Sequence, residues 1–172
     1  LSTTNIGSLS ATQIGGLSAT QMAQLTGANL AALDGTQFGS LTETQIPGLT
    51  TTQLAALSVT NLAEFTTTQV GALTRTQFAA LTPTQVSALD ATQFQSVTTN
   101  QIVGLTASQV RALLETDIAE ISTTQLAAFS AAQIGQLTTT SLAALDSSQI
   151  GALNATQIKG VANTQLQALT TT

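Results

Sequence analysis

Few side chains in this chain could carry chemistry, and they are scattered. Its 172 residues include no His, Cys, Tyr or Trp. That removes the usual general base, the thiol nucleophile and the soft metal ligands. Ser and Thr are plentiful but have no base to activate them. The carboxylates form one grouping, Glu115, Asp117 and Glu120, which could offer oxygen ligands to a hard cation such as Ca²⁺. Neither the EF-hand spacing nor the Gly-rich Ca²⁺-binding nonapeptide is present. The trio reads better as a solvated acidic patch. Asn154-Ala155-Thr156 matches the N-glycosylation acceptor pattern, but Asn154 falls where a helix N-cap is expected and is read as a cap. The sequence therefore predicts a non-enzyme with no catalytic, cofactor-binding or metal site and no cofactor.

Charge narrows the partners. Eight acidic and three basic residues give a net charge of −5. Arg75, Arg111 and Lys159 are too few to neutralise phosphates, which argues against nucleic acid as a ligand. A basic membrane-surface helix is equally unsupported. No apolar run approaches the roughly 20 residues needed to cross a bilayer, so membrane insertion is not expected. Without Cys there is no disulfide framework.

The elements that would position any site are set by one eight-residue phrase. From Leu1 the chain reads LSTTNIGS, LSATQIGG, LSATQMAQ and so on through 21 units, then a partial unit at 169–172. Unit n is numbered here from residue 8n−7. Positions 1 and 6 are apolar in every unit. Position 2 is Ser, Thr, Asp or Asn in 19 of 21, the exceptions being Leu114 and Ala162. Positions 4 and 5 are Thr and Gln in 16 of 21 each; position 8 is usually small; position 3 is loose.

A continuous helix cannot use this pattern, because its apolar stripe would drift about 80° per unit. A single long strand would send positions 1 and 6 to opposite faces. A short helix restarted in every unit fits. Position 2 is then the N-cap and the position-5 Gln, at N3, completes a capping box. Positions 1 and 6, at N′ and N4, form the hydrophobic staple. In unit 7 these residues are Leu49, Thr50, Gln53 and Leu54. Asp34, Asp90 and Asp146 as N-caps also meet the positive end of the helix dipole, and Pro83 falls at N1. Pro47, at position 7, predicts an unwound or 3₁₀-like last turn. Helices this short are unstable alone, so stability must come from stacking. The fold class expected is an all-α repeat solenoid of one- to two-turn helices, with positions 1 and 6 filling the centre. The alternative is a β-solenoid, favoured by abundant Thr and opposed by the Ala and Gln content.

A longer rhythm underlies the octads. Asp occupies position 2 in units 5, 12 and 19, and Gly occupies position 8 in units 6, 13 and 20. Units 1, 8 and 15 replace the Gln with Asn5, Asn61 and Asp117. Variants thus recur every 56 residues. Duplication of a 56-residue block is the simpler explanation. The other is geometric: with 3.5 units per turn, seven octads make two turns.

The phrase L-T-x-T-Q-[IVL]-x-A, as in Leu49 to Ala56 (LTTTQLAA) and Leu73 to Ala80 (LTRTQFAA), resembles the octapeptide arrays of very large exported or surface proteins of Gram-negative bacteria. The resemblance covers residues 1–172 and implies a non-catalytic scaffold, extracellular or at the cell surface. It transfers no functional residue. Haem binding is not implied, since His is absent and Met22 occupies a core position. Residues 1–172 are expected to form one solenoid, read as a segment of a longer array because polar capping units are missing. Its expected role is a structural spacer; the alternative is a repetitive Thr/Gln-rich surface for glycan or protein recognition, with ice binding less favoured. Uncapped ends suggest self-association.

Overall fold

The computed structural model describes residues 2–169. Among them are 20 α-helices and one 3₁₀ helix, and no strand, which sets the β-solenoid aside. The α-helices are four to seven residues long, from Ala131–Ile134 to Asn163–Leu169. The reason is local. In unit 11, the Thr82 hydroxyl accepts from the Gln85 N–H at 3.2 Å while Gln85 Oε1 accepts from the Thr82 N–H at 2.7 Å. This reciprocal capping box starts the helix Pro83–Ser87, with Pro83 at N1. The Val86 N–H closes one α-type bond to Thr82 at 3.0 Å, and the Leu89 N–H then makes a tighter three-residue bond to Val86 at 3.3 Å. The next N-cap, Asp90, is extended, so the chain turns and restarts.

The same grammar holds from unit to unit, with Asp34, Asp90 and Asp146 as N-caps. Unit 6 departs from it as Pro47 predicts: residues Ile46–Gly48 form a 3₁₀ helix where the other units have an α-helix. Leu114 has no side-chain oxygen, so unit 15 keeps half the box, the Leu114 N–H donating to Asp117 Oδ2 at 2.8 Å.

The path of the chain is a superhelix with a 28-residue turn. Helices pack on those three units away, and side-chain amides reach carbonyls 28 and 31 residues back. A turn therefore takes 3.5 octads. Successive turns are staggered by half a unit, like courses of brick, and residues 56 apart lie two turns apart on the same side. This supplies the geometric basis that the 56-residue rhythm requires, and a duplicated block would preserve it.

Positions 1 and 6 line one continuous core from Ile6 to Val161. Position-6 side chains are sealed in units 1 to 18: Ile14, Phe38, Val70 and Ile102 have no exposed surface, whereas Ile150, Ile158 and Leu166 are exposed. The accessible surface is 7961 Å² for 17.4 kDa, close to the roughly 7,900 Å² of a compact globular protein of that mass. Six turns therefore make a thick, filled cylinder rather than a thin rod. No helix among the described residues is long and apolar enough to cross a membrane.

Candidate functional site

The most distinctive construction in the molecule is a ladder of buried glutamines. Gln101 is 1% exposed. Its Oε1 accepts from the Thr98 N–H at 2.7 Å, completing the box of its own helix. Its Nε2 donates to the Val70 carbonyl at 2.8 Å and to the Leu73 carbonyl at 2.7 Å, both in the preceding turn. One amide thus starts a helix with its oxygen and ties two turns with its nitrogen. Gln45, Gln53, Gln77, Gln85 and Gln157 repeat this at distances of 2.6–2.9 Å. Even unit 6, with no α-helix, keeps both bonds.

The position-1 carbonyls are the ones that most need this donor. The Val70 carbonyl already accepts from the Leu73 N–H, whereas position-1 carbonyls lie between helices and have no backbone partner in the ladder. A buried carbonyl without a partner costs about 1–3 kcal/mol. The sequence pattern assigned Gln to the capping box alone. The signal for the second role was present: a capping box accepts Glu as readily as Gln, yet Glu never occupies position 5. Of the two, only the uncharged amide carries both an acceptor and donors.

The departures from Gln gather on one side. With 3.5 units per turn, units 1, 8 and 15 superimpose along the axis, and units 4 and 18 are half a unit away. Ser141 still reaches, its Oγ donating to the Leu113 carbonyl at 3.0 Å. Asn61 bonds only within its own unit, to Ser58. Asp117 is buried, 3% exposed. Desolvation raises its carboxyl pKa above the usual aspartate value, against a lowering from the Leu114 N–H. As a carboxylate it has no hydrogen to give the Leu89 carbonyl, where a Gln would donate.

The acidic trio is not brought together. Asp117 points inward, Glu115 is exposed at N1 of the helix Glu115–Glu120, and Glu120 accepts from Gln95 Nε2 at 2.8 Å. Among the described residues no group of three His, Cys, Asp or Glu is placed to hold a metal ion. Asn154 is a cap, its Oδ1 accepting from the N–H groups of Thr156 and Gln157 at 2.9 and 3.0 Å. Met22 is in the core with no exposed surface.

The looseness of position 3 also has a spatial cause. Position 8 of one unit lies over position 3 of the unit 29 residues back, and the two sizes compensate. The Glu64 carboxyl fills the space above Gly35, and Ala56 lies above Gly27. Conversely, Gly104 makes room for Arg75, and a Cβ on Gly160 would come within 2.0 Å of the Ala131 carbonyl oxygen. The exposed surface is built from positions 2, 3 and 4, in which Thr and Ser predominate, together with position 7, often Ala or Gly. From unit 5 onward the position-5 glutamines are buried and contribute nothing to it, so over those units the expected Thr/Gln-rich surface is rich in Thr and Ser instead.

Residues 49–89 match the family model described as the ALTTAQ repeat. This match, over units 7 to 11 and the first residue of unit 12, identifies repeat-family character in a chain whose octads continue in phase on both sides. No curated protein matches the chain.

Proposed function

We propose that this solenoid is a non-catalytic structural spacer. The observation that carries the reading is the use of the polar interior: from unit 5 onward the position-5 glutamines are spent on joining turns. Every added 28 residues repeats the same contacts, so length follows repeat number without altering the cross-section. The chain would then separate or project other parts of a large bacterial surface or exported protein, a setting supported by its resemblance to octapeptide arrays of such proteins.

Small-angle scattering tests the spacer reading on this chain and on a version with residues 49–104 duplicated. Two added turns should lengthen the particle by about 16–20 Å, at one helix-packing distance of about 8–10 Å per turn, with an unchanged cross-sectional radius. Growth in all directions would overturn it.

A further inference from the structure

Position 4 of the octad is kept although it holds nothing in the fold together. Positions 1 and 6 fill the core, position 2 caps and position 5 joins turns. Position 4 is exposed in each of the 21 units, yet it is Thr in 16 of them and Thr or Ser in 18. Among the described residues its hydroxyls find a partner in two units, Thr44 with Thr42 and Thr140 with Thr138. Positions 3 and 7 vary in the same units, so copying of the octad does not account for the constancy. Helix chemistry does not account for it either. Position 4 is N2, where the helix dipole favours a carboxylate and propensity favours Ala over Thr. No acidic residue occurs there, and Ala only as Ala28 and Ala132. Solubility would be served by any charge, yet none of the 11 charged residues falls at position 4. What is kept is a hydroxyl open to solvent.

It is also kept all the way round. With 3.5 units per turn the units fall on seven sides of the cylinder, and each side carries Thr at position 4: Thr4, Thr60 and Thr116 share one, Thr12, Thr68 and Thr124 another. A partner seated on one face, or a flat lattice such as ice, would call for one side only. A covalent coat uses them all. We propose that the position-4 hydroxyls are acceptors for O-linked glycosylation by neutral sugars. The chain supplies no His to activate them, so the base belongs to a transferase. That base takes the hydroxyl proton as Oγ1 attacks the anomeric carbon of a nucleotide-activated sugar. The new C–O bond forms, the bond from that carbon to the diphosphate breaks, and the nucleoside diphosphate leaves. The product is a bulky, solubilising surface on a cylinder that has few charges of its own. Phosphate at the same sites would instead crowd like charge onto a chain already at −5. The proposal stands apart from the spacer reading, since a bare array could serve as a spacer equally well.

Peptide mass spectrometry of the protein purified from the cells that make it tests this. Trypsin cuts after Arg111 and Lys159, and the peptide 112–159 carries five position-4 hydroxyls: Thr116, Thr124, Thr140, Ser148 and Thr156. It should show a ladder of up to five monosaccharide additions, placed on those residues by fragmentation that preserves side-chain modifications. Thr116→Ala/Thr124→Ala should shorten the ladder by two. Thr123→Ala/Thr139→Ala removes two exposed threonines at position 3 and should leave it unchanged. Both double variants, made by cell-free synthesis without sugar donors, should keep the circular dichroism spectrum of the parent and melt no lower. An unmodified peptide, sugars confined to other positions, phosphate in their place, or a ladder indifferent to Thr116→Ala/Thr124→Ala would each overturn the inference. So would a marked fall in the melting temperature of that variant, because it would give the threonines a structural role.

Discussion

Replacing Gln101 by Glu isolates the inter-turn role of the glutamine ladder. The two side chains have the same size and shape, and a Glu oxygen can still accept from the Thr98 N–H now bound at 2.7 Å. What disappears is the amide donor. The Leu73 carbonyl loses its partner, at about 1–3 kcal/mol for a buried unsatisfied acceptor, and the Val70 carbonyl loses a second bond, at about 0.5–1.5 kcal/mol. The sum, about 2–4 kcal/mol, should lower the melting temperature by about 5–15 °C in a domain of this length. The penalty should also depend on pH. A buried carboxyl facing carbonyls has a folded-state pKa raised above its unfolded value of about 4.3. Its protonated form restores one O–H donor, so the stability it contributes is fully present below the unfolded pKa and is lost as pH rises through the folded one. Urea denaturation followed by circular dichroism, at acidic and neutral pH, measures both effects. Gln13→Glu is the matched control, since Gln13 is exposed and its amide nitrogen has no partner among the described residues; it should cost less than about 0.5 kcal/mol. Equal losses for the two variants, or a Gln101→Glu penalty that grows as pH falls, would refute the ladder as the fastening between turns.

Asp117→Gln should stabilise the chain by about 1–2 kcal/mol by restoring donors toward the Val86 and Leu89 carbonyls. The gain should be greater at neutral than at acidic pH: the raised pKa of Asp117 means the native aspartate loses stability as pH rises through its folded value. Parallel denaturation curves check both points. Thr82→Ala removes a mid-array cap that holds the Gln85 N–H and should cost about 1 kcal/mol, read as a shifted denaturation midpoint; an unshifted midpoint would contradict the capping phase. Gly160→Ala should destabilise by about 1–3 kcal/mol, in the range of overpacking, because the added methyl collides with the Ala131 backbone. Gly151→Ala, in a helix with nothing within 4 Å of the new methyl, should instead stabilise by up to about 1 kcal/mol. Thermal melts of the pair distinguish a close approach between turns from a tolerated repeat variant.

The sequence by itself determined the helix starts. Leu49, Thr50, Gln53 and Leu54 act through contacts no more than five residues apart, so their types and offsets are sufficient to specify a staple and a capping box, and Pro47 marked the unit that becomes 3₁₀. The tertiary structure decided how those helices are assembled, choosing the 3.5-unit turn that the 56-residue rhythm had offered only as an alternative to duplication. The 28-residue turn, the second set of bonds made by Gln101, and the pairing of Gly104 with Arg75 join residues 28 to 31 apart. Such relations depend on the bend at each extended N-cap accumulated over 3.5 units, and a small change in that bend would alter which residues meet. The exclusion of Glu from position 5 was one trace of this assembly left in the octad, because a long side chain that must both accept within its own helix and donate to the turn below is met by the amide and not by the carboxylate.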